Sequence, residues 1–206
     1  MVTRSEPDYA WDFCGGQLAV DFTNTVGSRG GTAEDHLNVF GDLLSWAETR
    51  GVIARSAAQR LRREADRRPA IAKDALGEAV ALREALYRVL SAATSGRTPP
   101  AADLATVNAH VETSFSGARL QRASDRFELT FAPSDRSRLT APILEPVVRA
   151  AVDLLTSDAI GRVRLCGDAS CAWLFLDTTR NGTRRWCDMK ECGNRNKVRR
   201  FREAQR

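Results

Sequence analysis

The chain has 206 residues, 43% of them hydrophobic and 28% charged, which is long enough for a real core and close to ordinary globular composition. Those figures exclude wholesale disorder, a collagen-like fibre and a disulfide-dense miniprotein. No run approaches the roughly 18 apolar residues of a membrane span, and Met1 to Phe13 carries charges where a signal peptide has its apolar stretch. A cytoplasmic protein with no membrane partner is expected, and in that compartment cysteines stay reduced or bind metal. The net charge of +5 is unevenly placed. Residues 160–206 hold 12 basic and 5 acidic side chains, a net of +7, and the other 159 residues hold 19 and 21, a net of −2. Such asymmetry suits a basic module for an anionic partner on a near-neutral domain, with a solvated basic tail as the alternative.

In chain order, Leu18, Val20 and Phe22 alternate with Ala19, Asp21 and Thr23 behind Gly15-Gly16, which predicts a strand. Leu37, Phe40, Leu43, Leu44 and Trp46 recur at helical spacing, with Gly51 as the stop. A second helix is predicted over 56–67, ended by Pro69. The longest apolar face follows, Ala75 to Leu90, over about five turns. It stops at Ser95-Gly96-Arg97-Thr98-Pro99-Pro100, and a further helix is predicted over 101–113. Leu120–Arg122 and Phe127–Phe131 flank Ser124-Asp125 as a hairpin would, and Ile143 to Leu155 reads as a last helix. The expected class is α+β: an α-rich domain with a few strands over residues 1–159, then a short second unit over 160–206 with too few apolar residues to fold unaided.

That unit carries Cys166, Cys171, Cys187 and Cys192, a C-x4-C-x15-C-x4-C pattern. Two close pairs separated by a returning loop are what a tetrahedral four-thiolate zinc site requires; an iron–sulfur cluster, disulfides and free thiols are the alternatives. One zinc per chain is expected, structural because four thiolates leave no open position. Cys14 stands alone and is expected to pack as a small hydrophobe. Trp173 to Asp177 is strand-like, Asn181-Gly182 is a turn signal, and Thr183 to Trp186 leads back to Cys187. A terminal helix follows Gly193-Asn194, giving a small treble-clef-like zinc finger.

On that helix Arg195, Arg199, Arg202 and Arg206 fall within an arc of about 60°, with Val198, Phe201 and Ala204 on another side. One face is expected to pack and the other to be cationic. An arginine in the first turn opposes the helix dipole, so Arg195 either offsets the net −2 of a zinc tetrathiolate or meets a phosphate. Phosphate binding accounts for the whole stripe, with Lys197, Arg200, Arg184 and Arg185 as auxiliary contacts.

Cys192-Gly193-Asn194-Arg195, with the cysteine spacing and Arg199-Arg200 behind it, resembles the CGNR zinc finger family over residues 160–206. Upstream, Phe13 to Thr25 and Leu43-Leu44-Ser45-Trp46 are similar to the ABATE domain that precedes this finger in bacterial proteins described as stress-induced transcription regulators; Phe22-Thr23-Asn24-Thr25 stands where Phe-Val-Asn-Thr is expected. The resemblance implies binding of double-stranded DNA through the finger.

Asp21 and Asn24 are the upstream polar residues singled out as a ligand pocket for a small-molecule effector, with turn capping as the alternative. His36 and His110 are isolated. No phosphate loop, serine elbow or paired histidine ligands appear, so the chain is not expected to be an enzyme. The expectation is a DNA-binding transcription regulator, able to form a homo-oligomer. An RNA- or ribosome-associated protein and a protein-interaction module are the alternatives.

Overall fold

Gln17 opens the first element. Its backbone is extended, and its Oε1 accepts hydrogen bonds from the Ala19 and Val20 amides at 2.6 and 3.2 Å, so Leu18–Thr23 is a helix, α1. The strand predicted there is therefore wrong. Alternation misled because every residue from Ala19 to Thr23 is buried, polar ones included, and a segment surrounded on all sides has no solvent face for a period to report. The computed structural model describes residues 9–131 and 138–205.

After α1, a two-residue ladder pairs β1 (Val26–Gly27) with β2 (Glu34–Asp35). Asp42 accepts from the Asn38 and Val39 amides and starts α2 (Phe40–Thr49), which stops before Gly51 at φ +77°. Then come α3 (Arg55–Arg67) and the 26-residue α4 (Pro69–Thr94), opened by a proline whose missing N–H costs nothing in a first turn. α5 (Ala101–Phe115) leads into the hairpin of β3 (Ala118–Ala123) and β4 (Arg126–Phe131), in register from Ala118↔Phe131 to Ala123↔Arg126. α6 (Ala141–Leu155) completes the helical part.

α4 is the axis. Its Ala79, Leu82 and Leu86 are fully buried among Phe22 of α1, Leu43, Leu44 and Trp46 of α2, and Ile143, Val147 and Ala151 of α6. A charged side chain of α4 also enters this interior. Arg83, 2% exposed, forms a fork with Asp35 at 2.8 and 2.6 Å and also meets Glu84. Glu84 in turn takes both guanidinium nitrogens of Arg29 at 2.9 Å, and Arg29 lies over the Tyr87 ring. These ion pairs fasten the loop between α1 and α2 to α4, and that loop carries the next unit.

A 3₁₀ turn (Asp158–Arg162) leads to β5 (Val163–Leu165), which pairs with β6 (Leu174–Leu176) in register Val163↔Leu176 to Leu165↔Leu174. The hairpin thus brackets the first cysteine pair. The pairing of Trp173 to Asp177 with Thr183 to Trp186, expected across a turn at Asn181-Gly182, does not form: β6 pairs with β5, and the returning segment carries no ladder bonds. A single turn of π-helix (Met189–Gly193) continues into α7 (Asn194–Ala204). The whole is α+β and helix-rich, with a hairpin and terminal helix around the cysteines. Among the described residues no helix is long and apolar enough to cross a membrane.

Candidate functional site

The first cysteine pair sits on a turn made by β5 and β6. Cys166 N donates to Trp173 O at 2.8 Å, and Gly167 N donates to Arg185 O at 2.7 Å. A Cβ on Gly167 would lie 2.9 Å from that same carbonyl, so the close approach of the returning chain requires glycine. Asp168 closes the turn: Oδ1 accepts from Ser170 N and Oγ, and the backbone carbonyl accepts from Cys171 N. The second pair follows the same logic. Asp188 Oδ1 accepts from the Lys190 and Glu191 amides at 2.6 and 2.9 Å, starting the π turn that presents Cys192. Asn194 and Asn196 then reach back one turn to the Lys190 and Cys192 carbonyls at 2.7 and 2.9 Å.

All four thiols are buried, with their sulfur atoms within 4.8 Å of one another. Cys171 Sγ lies 3.6 Å from Cys187 Sγ, and Cys187 Sγ lies 3.7 Å from Cys192 Sγ. These separations are far too long for disulfides and close to the edge of about 3.8 Å expected for a sulfur tetrahedron around zinc. Electrostatics point the same way. Hydrogen bonds from Cys171 and Cys187 hold the Cys166 thiol far below its usual range, while hydrogen bonding to Cys14 and its other neighbours pushes Cys187 far up. Four thiolates this close repel one another and need a cation between them. The donor set fits one zinc ion, held by Cys166, Cys171, Cys187 and Cys192, and four thiolates make that ion structural. Cys14 is not isolated: it packs half-buried against this cluster. Its distance in sequence hid that.

The expected cationic stripe is divided. Arg195 Nη1 lies 3.3 Å from Oδ2 of the fully buried Asp168 and donates to Ser170 Oγ, and Arg199 lies 4.0 Å from the same carboxylate and donates to Asn196 Oδ1. The first two arginines of the helix therefore compensate a buried acid beside the metal centre. Lys197, Arg200 and Arg202 are exposed, with no acidic partner within 4 Å among the described residues. Arg206 lies outside the described residues. Arg185 is exposed over the Trp186 ring, whereas Arg184 is turned inward: it donates to the carbonyls of Trp186, Cys14 and Cys187 and lies over the Phe175 ring. The apolar side of α7 does not pack. Asn196 alone is buried in this helix, while Val198 and Phe201 are 49% and 65% exposed.

Asp21 and Asn24 are both buried and both engaged. Asp21 Oδ2 accepts from Arg50 Nε at 2.7 Å, and burial, outweighing that partner, raises its carboxyl to about 6. Asn24 caps α1 and bonds through both side-chain atoms to the backbone of Leu174 in β6. A cavity of about 450 Å³ lies elsewhere, between α2 and α3, with Trp11, Glu48, Arg55 and Arg62 in its wall. His36 and His110 are partly buried, which lowers both imidazoles below their usual value.

Asn24 belongs to a larger seam that sequence reasoning missed. Trp173 Nε1 donates to Val26 O at 2.6 Å, Tyr87 Oη to Ala172 O at 2.9 Å, Arg29 N to Cys171 O at 3.1 Å, and Leu176 N to Gly15 O at 2.9 Å. Gly30 lies so near Ala169 that a Cβ would sit 1.7 Å from its carbonyl oxygen. Beneath these bonds Val20, Leu90 and Leu154 share one apolar cluster with Val163 and Leu174. The polar members Asn24, Trp173 and Tyr87 gave no periodic signal, since each acts through a backbone group far away in sequence.

Buried thiols on two turns, a short hairpin and a projecting basic helix define a zinc finger, here seated on a helical domain. Residues 16–158 match the ABATE family, described as "Putative stress-induced transcription regulator", and residues 162–205 match the CGNR zinc finger. The chain belongs to the ABATE family and carries a CGNR zinc finger. A search of curated proteins returned no match.

Proposed function

We propose that the protein is a cytoplasmic transcription regulator that binds double-stranded DNA through α7, with zinc holding that helix in place and no catalytic role of its own. The observation that carries this reading is the trio Lys197, Arg200 and Arg202, exposed on a projecting helix with no acidic partner within 4 Å among the described residues. Cations with no acidic partner of their own are available for phosphate. Arg185 lies on the adjoining return loop and adds to the same field. Arg195 and Arg199 serve chiefly to position the helix. The helical domain, with its net −2, is the sensing or assembling part, and the cavity between α2 and α3 is the place for a small effector.

The test is affinity against salt, measured with random-sequence duplex DNA and with structured RNA in competition. Three phosphate contacts give a log–log slope of about −2.7, and each single alanine replacement makes it shallower by about 0.9. Replacing all three while zinc, affinity and slope stay unchanged would falsify the reading, and preference for the RNA would reassign the partner.

A further inference from the structure

The apolar side of α7 points away from the protein, and its flanks are charged. Residues advance by about 100° each around a helix, so relative to Arg195 at zero, Asn196 lies at about 100° and the sequence Lys197, Phe201, Val198, Arg202 falls at about 200°, 240°, 300° and 340°. Asn196, 7% exposed, marks the side held against the metal turn. The opposite direction, about 280°, passes between Phe201 and Val198. These two are 65% and 49% exposed, with Lys197 on one side of them and Arg202 on the other. Glu203 is the one acid in the sequence of α7, and it lies at about 80°, on the inward side. The outward arc is thus cation, apolar pair, cation, with no negative charge.

We infer that Val198 and Phe201 form a specificity-determining pair that reads the 5-methyl groups of thymine on the floor of the DNA major groove. This rests on the reading of α7 as the DNA-contacting helix. A duplex major groove is about 12 Å wide and admits one helix, its walls are rows of phosphates, and the thymine methyl is the apolar feature its floor offers. The order cation, apolar, cation across the helix matches phosphate, methyl, phosphate across the groove. Lys197 and Arg202 face opposite walls, and the apolar pair between them faces the base edges. An anionic membrane surface matches less well, because an interfacial helix needs a broad apolar face, and here that face is two side chains wide.

The experiment uses the zinc-loaded full chain and two duplexes of alternating adenine and thymine, one of them with deoxyuridine in place of every thymidine. Their phosphates and hydrogen-bonding groups are the same, and only the methyls differ. The thymine duplex is expected to bind about fourfold more tightly per contacted methyl, with an unchanged salt slope. Val198→Ala with Phe201→Ala abolishes the preference and keeps the slope, and Phe201→Leu retains most of it. Both residues are exposed, so zinc content and helical circular dichroism stay at the wild-type level and confirm that the variants are folded. Equal binding of the two duplexes, or a preference that survives the double variant, overturns the inference while leaving the phosphate contacts standing. Failure to bind either duplex removes the DNA reading itself. Sedimentation with phosphatidylserine vesicles that is lost in Phe201→Ala assigns the apolar pair to a membrane surface and likewise overturns it.

Discussion

The side-chain amide of Asn24 pairs with the backbone of Leu174 as a neighbouring strand would: Nδ2 donates to Leu174 O at 2.8 Å, and Leu174 N donates to Oδ1 at 3.1 Å. One residue, 3% exposed, thereby satisfies the free edge of β6 and caps α1. Asn24→Ala leaves two buried backbone groups unpaired, and at about 1 to 3 kcal/mol each the change lowers stability by about 2 to 6 kcal/mol. Urea unfolding of the zinc-loaded chain measures this, and an unchanged midpoint contradicts the strand-like role.

Zinc removal reaches beyond the finger. Val163 and Leu174 share an apolar cluster with Val20, Leu90 and Leu154, so loosening the finger strips cover from α1, α4 and α6. Cys187→Ser is expected to take zinc from about one per chain to near zero and to lower the melting temperature of the whole chain by several degrees, in one transition followed by far-ultraviolet circular dichroism. A helical domain that melts at its original temperature shows the two units to be independent.

Asp168 tunes how tightly the metal is kept. Its buried carboxylate joins the first cysteine turn to Arg195 on α7, through Ser170 on one side and the 3.3 Å charge contact on the other. Asp168→Ala loses the turn closure and leaves Arg195 unopposed. Outer partners of a metal site commonly matter by about tenfold or more in affinity, and competition with a chelator should show that loss, with the zinc stoichiometry still about one.

Asp21 makes stability depend on pH in the direction opposite to most carboxylates. Burial raises its folded value from 3.8 to about 6, so between those limits the folded chain holds a proton that the unfolded chain has released. Stability from this group is full below about 4 and falls as pH rises toward 6. Asp21→Asn removes that dependence, and the difference in unfolding free energy between pH 4 and pH 6.5 should shrink by an amount on the order of 1 kcal/mol or more. A variant with the same pH profile as the parent places the titration elsewhere.

The metal site was legible in the sequence because spacing encodes it: two cysteine pairs on short turns leave little freedom in how their sulfurs meet. The long helices were legible for a similar reason, since α4, α5 and α6 each turn one face to a core and the other to water. α1 was not, because Ala19 to Thr23 is buried all round and a one-sided pattern never forms. The stripe of arginines was legible as charge but not as partnership. That Arg195 would find Asp168, and that Arg184 would turn inward to three carbonyls, depends on turns that only the folded chain brings together. Val198 and Phe201 failed the other way. Their spacing is that of a packed face, and yet both are exposed, with no cover supplied among the described residues.

The tryptophan that follows the first cysteine turn, Trp173, hands its indole N–H to the carbonyl of Val26, and if finger and helices melt in the one transition expected above, metal occupancy and the state of the helical domain are one thermodynamic variable. An ion that binds only the assembled chain stabilises it by RT ln(1 + [Zn]/Kd), and reciprocity requires that any small molecule tightening the helices also slow the departure of zinc. On the proposed function, an effector bound between α2 and α3 would then be read in the firmness with which α7 is presented, with no need for a hinge or for a moving part between the two.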